Sequence, residues 1–202
     1  KDIARIRQVP LSLILNILLK KQTNKQVRMA FIAFSLAHTG VLDGDKTVLN
    51  LEDRKRTAFI TATKVHDFAW FASENYRLEQ KEINLNGKNI QLKLYRSKDN
   101  ATWDHALEFM ERAIRFYSSE VGDYPYLQIS VVQGISAAGS GMEYPMLTIL
   151  DDVSEKQQLD HLIAHEIGHN WFYSSLGFNE RKSPWLDEGL NTYYEHLYND
   201  RY

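Results

Sequence analysis

The chain has 202 residues, 24 Lys+Arg against 26 Asp+Glu, and a formal charge of −2. An apolar share of 44% at that charge describes a globular chain, not a disordered one. The balance supplies no basic face for nucleic acid, and the absence of cysteine removes disulfide scaffolds, thiolate metal sites and thiol nucleophiles.

Residues 1–57 read as a mostly helical N-terminal segment with loops. Leu11–Leu19 and Met29–Leu36 are apolar runs too short to span a membrane, which takes about 20 residues, and fit buried or amphipathic helix. Pro10 marks a break, Thr39-Gly40 and Asp43-Gly44 mark turns, and Glu52–Arg56 is a solvated charged run. The pattern changes near Thr57, so residues 58–202 form the second unit. Ala58–Thr63 is strand-like. Ile83–Leu85, the Asn86-Gly87 turn and Ile90–Tyr95 read as a hairpin, with Ile90, Leu92 and Leu94 on one face.

Ala101–Glu120 carries Trp103, Ala106, Leu107, Met110, Ile114 and Tyr117 at helical spacing, with Asp99 or Asn100 as cap and Gly122 as stop. Leu127–Gln133 is a short apolar strand. The small-residue run Gly134–Gly141 follows, and then a strand over Met146–Leu150. Ser154 and Gln157 fit a capping box, opening a helix that runs to about Tyr173. Ser183-Pro184 starts a last helix to about Tyr198.

The first of these two helices contains His165-Glu166-Ile167-Gly168-His169, an HExxH motif. Four residues of α-helix turn through about 400°, so the two imidazoles lie about 40° apart on one face and can share a zinc ion. Glu166 lies off that axis, where a carboxylate can act as general base towards a zinc-bound water. A catalytic zinc takes a third protein ligand, and Glu188 stands 19 positions after His169 in Trp185-Leu-Asp-Glu-Gly189. With 7 His in the chain, random placement gives HExxH about 1–2% of the time, and about 0.1% with Glu at that offset. His161 lies one turn before His165 and reads as a surface residue or a neighbour of the ligands. His105 and His196 read as exposed. Asp187 and Thr192 flank Glu188 and are candidates to orient a ligand.

HExxH, 18 residues and then Glu inside W-L-x-E-G resembles the gluzincin metallopeptidases, specifically the aminopeptidase-N family. A second motif supports the resemblance. The family carries G-x-M-E-N on an edge strand of its cleft, and this chain has Ser140-Gly141-Met142-Glu143-Tyr144, departing at Ser140 and Tyr144. The resemblance extends over roughly Thr57 to Asn199 and includes His66-Asp67-Phe68-Ala69-Trp70, where His66 and Asp67 read as structural.

The resemblance implies an α+β, thermolysin-like catalytic domain, a mixed sheet followed by a zinc-binding helix pair. It implies one Zn2+ per chain on His165, His169 and Glu188, with Glu166 catalytic. Gly141, Met142 and Glu143 are the implied substrate-binding residues, Glu143 holding the free N-terminus of a peptide. The family's oxyanion-stabilising tyrosine lies well downstream of the third ligand. Tyr193, Tyr194, Tyr198 and Tyr202 are poor positional matches, so the chain is expected to be a catalytic-domain fragment with impaired turnover. The family's preceding β-rich domain is also not legible in residues 1–57. A thermolysin-like endopeptidase, an epoxide-hydrolysing relative and a non-catalytic zinc-stabilised interaction module are the alternatives.

Overall fold

The computed structural model describes residues 25–31, 35–50, 55–97, 99–134, 140–177 and 179–202. Pro10, the Leu11–Leu19 run, residues 32–34 of the Met29–Leu36 run, residues 52–54 of the charged run and residues 135–139 of the small-residue run lie outside them.

The helical reading of the N-terminal segment is corrected over its described residues, 25–31, 35–50 and 55–57. Strands β1 (Lys25–Phe31), β3 (Val41–Asn50) and β4 (Lys55–Ala62) form an antiparallel sheet in the order β1-β4-β3, and β2 (Ser35–His38) pairs with β5 (Trp70–Ser73). Val27, Met29 and Phe31 alternate with Arg28 and Ala30, a period of two that a short apolar run does not separate from a helix segment. Cross-strand pairing, Val27 opposite Ile60 and Met29 opposite Ala58, decides the outcome. β-structure therefore does precede the catalytic residues. Thr39-Gly40 turns the chain between β2 and β3, with Gly40 at φ +91°. Asp43-Gly44 lies within β3, where the register shifts between Asp43 and Val48.

The central sheet is mixed, in the order β6-β7-β8-β10-β9. The expected hairpin forms from β6 (Arg77–Leu85) and β7 (Lys88–Arg96) around Asn86-Gly87, both at positive φ. β7 pairs parallel with β8 (Gln128–Gly134), so the chain must cross over, and helix α1 (Ala106–Glu120) makes the crossing. Asn100 caps the preceding 3-10 turn, Ala101–His105, by accepting a hydrogen bond from Thr102 N at 3.0 Å. β10 (Leu147–Asp151) adds parallel to β8, and β9 (Gly141–Tyr144) completes that end of the sheet, antiparallel to β10.

One face of this sheet and the helices share a core of Ile90, Leu92, Leu94, Ile129 and Val131 with Phe109, Met110, Ile114 and Tyr117 of α1. Fully burying each such side chain stabilises by roughly 1.5–3 kcal/mol. The other face packs Tyr95, Val132, Leu147 and Ile149 against Ala37 and Phe71 of the β2/β5 pair.

Helix α2 (Lys156–His169) runs on into a π-helical turn, Asn170–Ser175, closed by Gly177 at φ +61°. The capping box is not formed. Glu155 occupies the N-cap position without a side-chain cap bond. The preceding chain is held elsewhere, Thr102 Oγ1 donating to Ser154 O at 2.8 Å and Asn100 Nδ2 to Val153 O at 2.9 Å. After Pro184 a second π-helical turn, Trp185–Gly189, leads into α3 (Leu190–Arg201).

α3 lies tightly on α2. Asn191, fully buried, donates from Nδ2 to His165 O at 2.8 Å. The close approach needs Gly168: a Cβ there would overlap Asn191 Oδ1 and stand 2.6 Å from the Tyr117 hydroxyl. A second brace joins all three helices through Arg112 of α1. Its Nε donates to Tyr198 Oη at 2.7 Å, a second guanidinium nitrogen pairs with Asp160, and Tyr198 donates to Asp160 at 2.6 Å. Gly168→Ala is expected to destabilise the chain by about 1–3 kcal/mol through overpacking, read by denaturant unfolding. Gly189→Ala is the control: its Cβ would meet only Trp185 Cβ, at 3.9 Å, and should cost nothing.

Candidate active site

Nε2 of His165 and Nε2 of His169 lie 3.2 Å apart, and Glu188 Oε2 stands 3.4 Å from the first and 3.8 Å from the second. A tetrahedral zinc with bonds of about 2.0–2.1 Å separates its ligands by about 3.3–3.4 Å, so this triangle has the right size to hold one ion. These three residues form one of two carboxylate–histidine groups of metal-binding size among the described residues. The other, Glu143, His169 and Asp187, shares His169 with it.

Both imidazoles are held from behind. Nδ1 of His165 pairs with Glu195 at 2.9 Å, and Nδ1 of His169 with Asp187 at 2.5 Å. Such carboxylates fix the tautomer that leaves Nε2 free for a metal. The π-helical turn Trp185–Gly189 carries both Asp187, turned to His169, and Glu188, turned to the triangle. Asp187 thus occupies the orienting position expected of it. Glu195 was not singled out from the sequence, although it stands seven residues, two turns, beyond Glu188.

Glu166 is buried, and Thr148 Oγ1, which donates to Met142 O at 2.9 Å, lies 3.3 Å from its Oε2. Its carboxylate lies against β9 at Gly141, where any Cβ would overlap Glu166 Oε1. Gly141 therefore makes room for Glu166. Glu143 sits two residues along the same edge strand, opposite Thr148, and is 8% exposed. Alternation turns Met142 to the other face, where it packs against the Val132–Leu147–Ile149 cluster. The structure thus brings Gly141 and Glu143 to the cleft and the Met142 side chain to the core behind it. Tyr144 is buried near Phe71, and Ser140 adopts φ +69°, a left-handed conformation that suits the glycine of the family motif. Asn170 fastens this edge to α2, its Oδ1 accepting from Met146 N at 3.0 Å and its Nδ2 donating to Ile167 O at 3.0 Å. Asp67 is buried and structural in its contacts, accepting from Phe68 N at 2.7 Å and from the Tyr173 hydroxyl at 3.2 Å.

The electrostatics suit a cation. Burial, with Glu143 nearby, pushes the Glu166 carboxyl up to about 7. Burial, reinforced by Asp187, Glu188 and Glu180, pushes Glu143 up to about 8. Burial opposes a charge on His165, but its hydrogen bonds to Glu188 and Glu195 outweigh it and raise the imidazole to about 10. All three groups bind protons more tightly folded than unfolded. Their contribution to the metal-free chain is complete below the unfolded values of 4.5 and 6.5, and is lost as pH rises through about 7, 8 and 10. The metal-free melting temperature is therefore expected to fall between pH 5 and pH 9, less steeply in Glu166→Gln. Saturating zinc should raise it more at pH 8 than at pH 5, because the metal displaces those protons. Circular-dichroism melts read both effects.

Residues 105–202 match the Peptidase family M1 domain. Aminopeptidase 2 of Candida albicans is 22% identical over 166 residues, 75% of this chain and 17% of that protein. Homo sapiens aminopeptidase Q is 39% identical over 46 residues, 22% of this chain and 5% of that protein. The chain is thus short beside the curated relatives it matches. In three dimensions it superposes on the M1 zinc metallopeptidase of Deinococcus radiodurans with TM-score 0.69 at 18% identity, covering 88% of this chain and 40% of that one. Legionella pneumophila aminopeptidase A, solved with aspartic acid, gives TM-score 0.75 at 15% identity over 88% of this chain and 23% of its own. The matched segment holds both histidines, Glu166, Glu143 and Glu188, and over that segment the chain is similar to the M1 peptidases, whose catalytic domain is aminopeptidase-N-like and gluzincin.

Proposed function

We propose that the chain carries the metal and amine-binding half of a zinc aminopeptidase site, which releases N-terminal residues from peptides. The observation that carries this is the triangle of His165, His169 and Glu188 with Glu166 beside it and Glu143 on the adjoining sheet edge. The Deinococcus enzyme, solved with a Tyr-Ser-Ala substrate, shares the fold.

His165, His169 and Glu188 would hold one zinc ion, with Asp187 and Glu195 fixing the imidazoles. Bound there, zinc lowers the pKa of water towards about 7 and polarises the scissile carbonyl. Glu166, held against β9 at Gly141, takes a proton from the attacking water and passes it to the leaving amine. Glu143 accepts hydrogen bonds from the substrate's α-ammonium, a charge-assisted contact that an internal peptide bond cannot make.

The arrangement also gives the substrate a direction. β9 runs beside α2, Gly141 against Glu166 and Glu143 near His169 and Asp187. A substrate whose N-terminus meets Glu143 then extends past Glu166 towards His165 and Ser140. β9 ends the sheet among the described residues, so its outer edge can receive an extended peptide. Tyr194 stacks on Phe172, and Tyr198 donates to Asp160, so neither is directed at the triangle.

Leucinamide should bind the zinc-loaded chain about 10–100-fold more tightly than N-acetyl-leucinamide, and Glu143→Gln should remove most of that difference. Hydrolysis of a leucyl arylamide should fall by about 10²–10⁴ in Glu166→Gln. Equal binding of free and blocked ligands would instead indicate an endopeptidase.

A further inference from the structure

Two buried polar atoms beside the metal triangle have no hydrogen-bond partner among the described residues, the Tyr117 hydroxyl on α1 and Oδ1 of Asn191 on α3. Both side chains are fully buried. They meet at the notch that Gly168 leaves in α2, where a Cβ would overlap Asn191 Oδ1 and stand 2.6 Å from the Tyr117 oxygen. A phenol hydroxyl can donate and an amide oxygen can only accept, so the two are chemically matched. Burial first, then Glu195 and Tyr198, push the Tyr117 phenol well above its ordinary value, so it keeps its proton.

The Tyr117 ring has little freedom. It stacks on Trp171 with centroids 5.3 Å apart, and it meets Phe116 and Phe172 edge-on. Asn191 is tied at its other end, Nδ2 donating to His165 O at 2.8 Å. One turn further along α3, Glu195 holds Nδ1 of the same histidine at 2.9 Å. Three residues before Asn191 stands Glu188. Asn191 therefore sits between the two carboxylates that α3 and its leading turn present to His165, and the Tyr117 hydroxyl lies directly behind it.

We infer that Tyr117 is a positioning residue of the metal site, its hydroxyl donating to Asn191 Oδ1 once Glu188 closes onto the two histidines. The inference rests on the metal reading proposed above. In the metal-free chain Glu188 Oε2 stands 3.4 Å from His165 Nε2 but 3.8 Å from His169 Nε2, whereas ligands of one tetrahedral ion lie about 3.3–3.4 Å apart. To meet that distance Glu188 moves a few tenths of an ångström towards His169, and the first turn of α3, which carries Asn191, follows it. Gly168 is the neighbour of His169, so the movement is towards the notch and brings the amide onto the phenol. The hydrogen bond then links α1 through Asn191 to the carbonyl of His165, and it belongs to the loaded state alone.

The test sets zinc affinity against metal-free stability in Tyr117→Phe, which keeps the ring and removes only the hydroxyl. Competition with a zinc-binding dye reads the first, and circular-dichroism melts in a chelator read the second. Zinc should bind about 3–10-fold more weakly, the loss of one hydrogen bond. The metal-free melting temperature should not fall, because the hydroxyl removed has no partner there. Asn191→Ala should weaken zinc as well, and adding Tyr117→Phe to it should weaken zinc no further. A lower metal-free melting temperature in Tyr117→Phe assigns the hydroxyl to ordinary packing and overturns the inference. Unchanged zinc affinity, or an equal loss with and without Asn191, overturns it too. Glu188→Gln separates the two readings. If it weakens zinc while Tyr117→Phe does not, the metal site stands and the positioning role falls. If zinc binding is indifferent to Glu188→Gln, the metal reading falls and the inference with it.

Discussion

Everything at the site depends on how closely α3 can lie on α2. Glu188 belongs to a different helix from the two histidines, and a metal site tolerates errors of only a few tenths of an ångström. The approach is set where Gly168 has no side chain and Asn191 fills the space, its amide bonded to the carbonyl of His165. The residue that supplies a ligand therefore also supplies the backbone acceptor that docks the partner helix. Arg112, Asp160 and Tyr198 repeat the clasp further along, tying α1 into the same unit.

The same logic holds on the other side of α2. Gly141 lets β9 pass against Glu166, while Asn170 pins the β9–β10 turn to the end of the helix. Glu166 and Glu143 are thus positioned by one short edge strand, four residues long. Two glycines, one in each motif, mark the points where helix, helix and strand come closest.

This closeness has an electrostatic cost. Glu143, Glu166 and Asp187 converge within a buried volume, with Glu188 at its exposed edge. Burial drives Glu143 and Glu166 towards their neutral forms, and the acidic surroundings drive His165 towards its charged one. Sites built for catalysis commonly give up stability in this way.

Much of this was legible in the sequence because it is local. HExxH places two imidazoles on one helix face by helical geometry alone, the Asn86-Gly87 hairpin follows from turn chemistry, and α1 follows from its apolar period. The helical reading of Met29–Leu36 failed at Met29–Phe31 because a short apolar run fits either period, and pairing with β4 chose the strand. The capping box failed because Thr102 and Asn100 hold the chain just before α2. Glu195, Thr148 and Asn170 were not legible at all, since each matters through a partner distant in sequence. Met142 sits in the motif, yet its side chain turns away from Glu143 because a strand alternates its faces. The sequence by itself determined which side chains could bind a metal and that two of them share a face. The distance from Glu188 to that pair, and the N-cap falling on Glu155 instead of Ser154, were decided only by packing between segments, which no local pattern encodes.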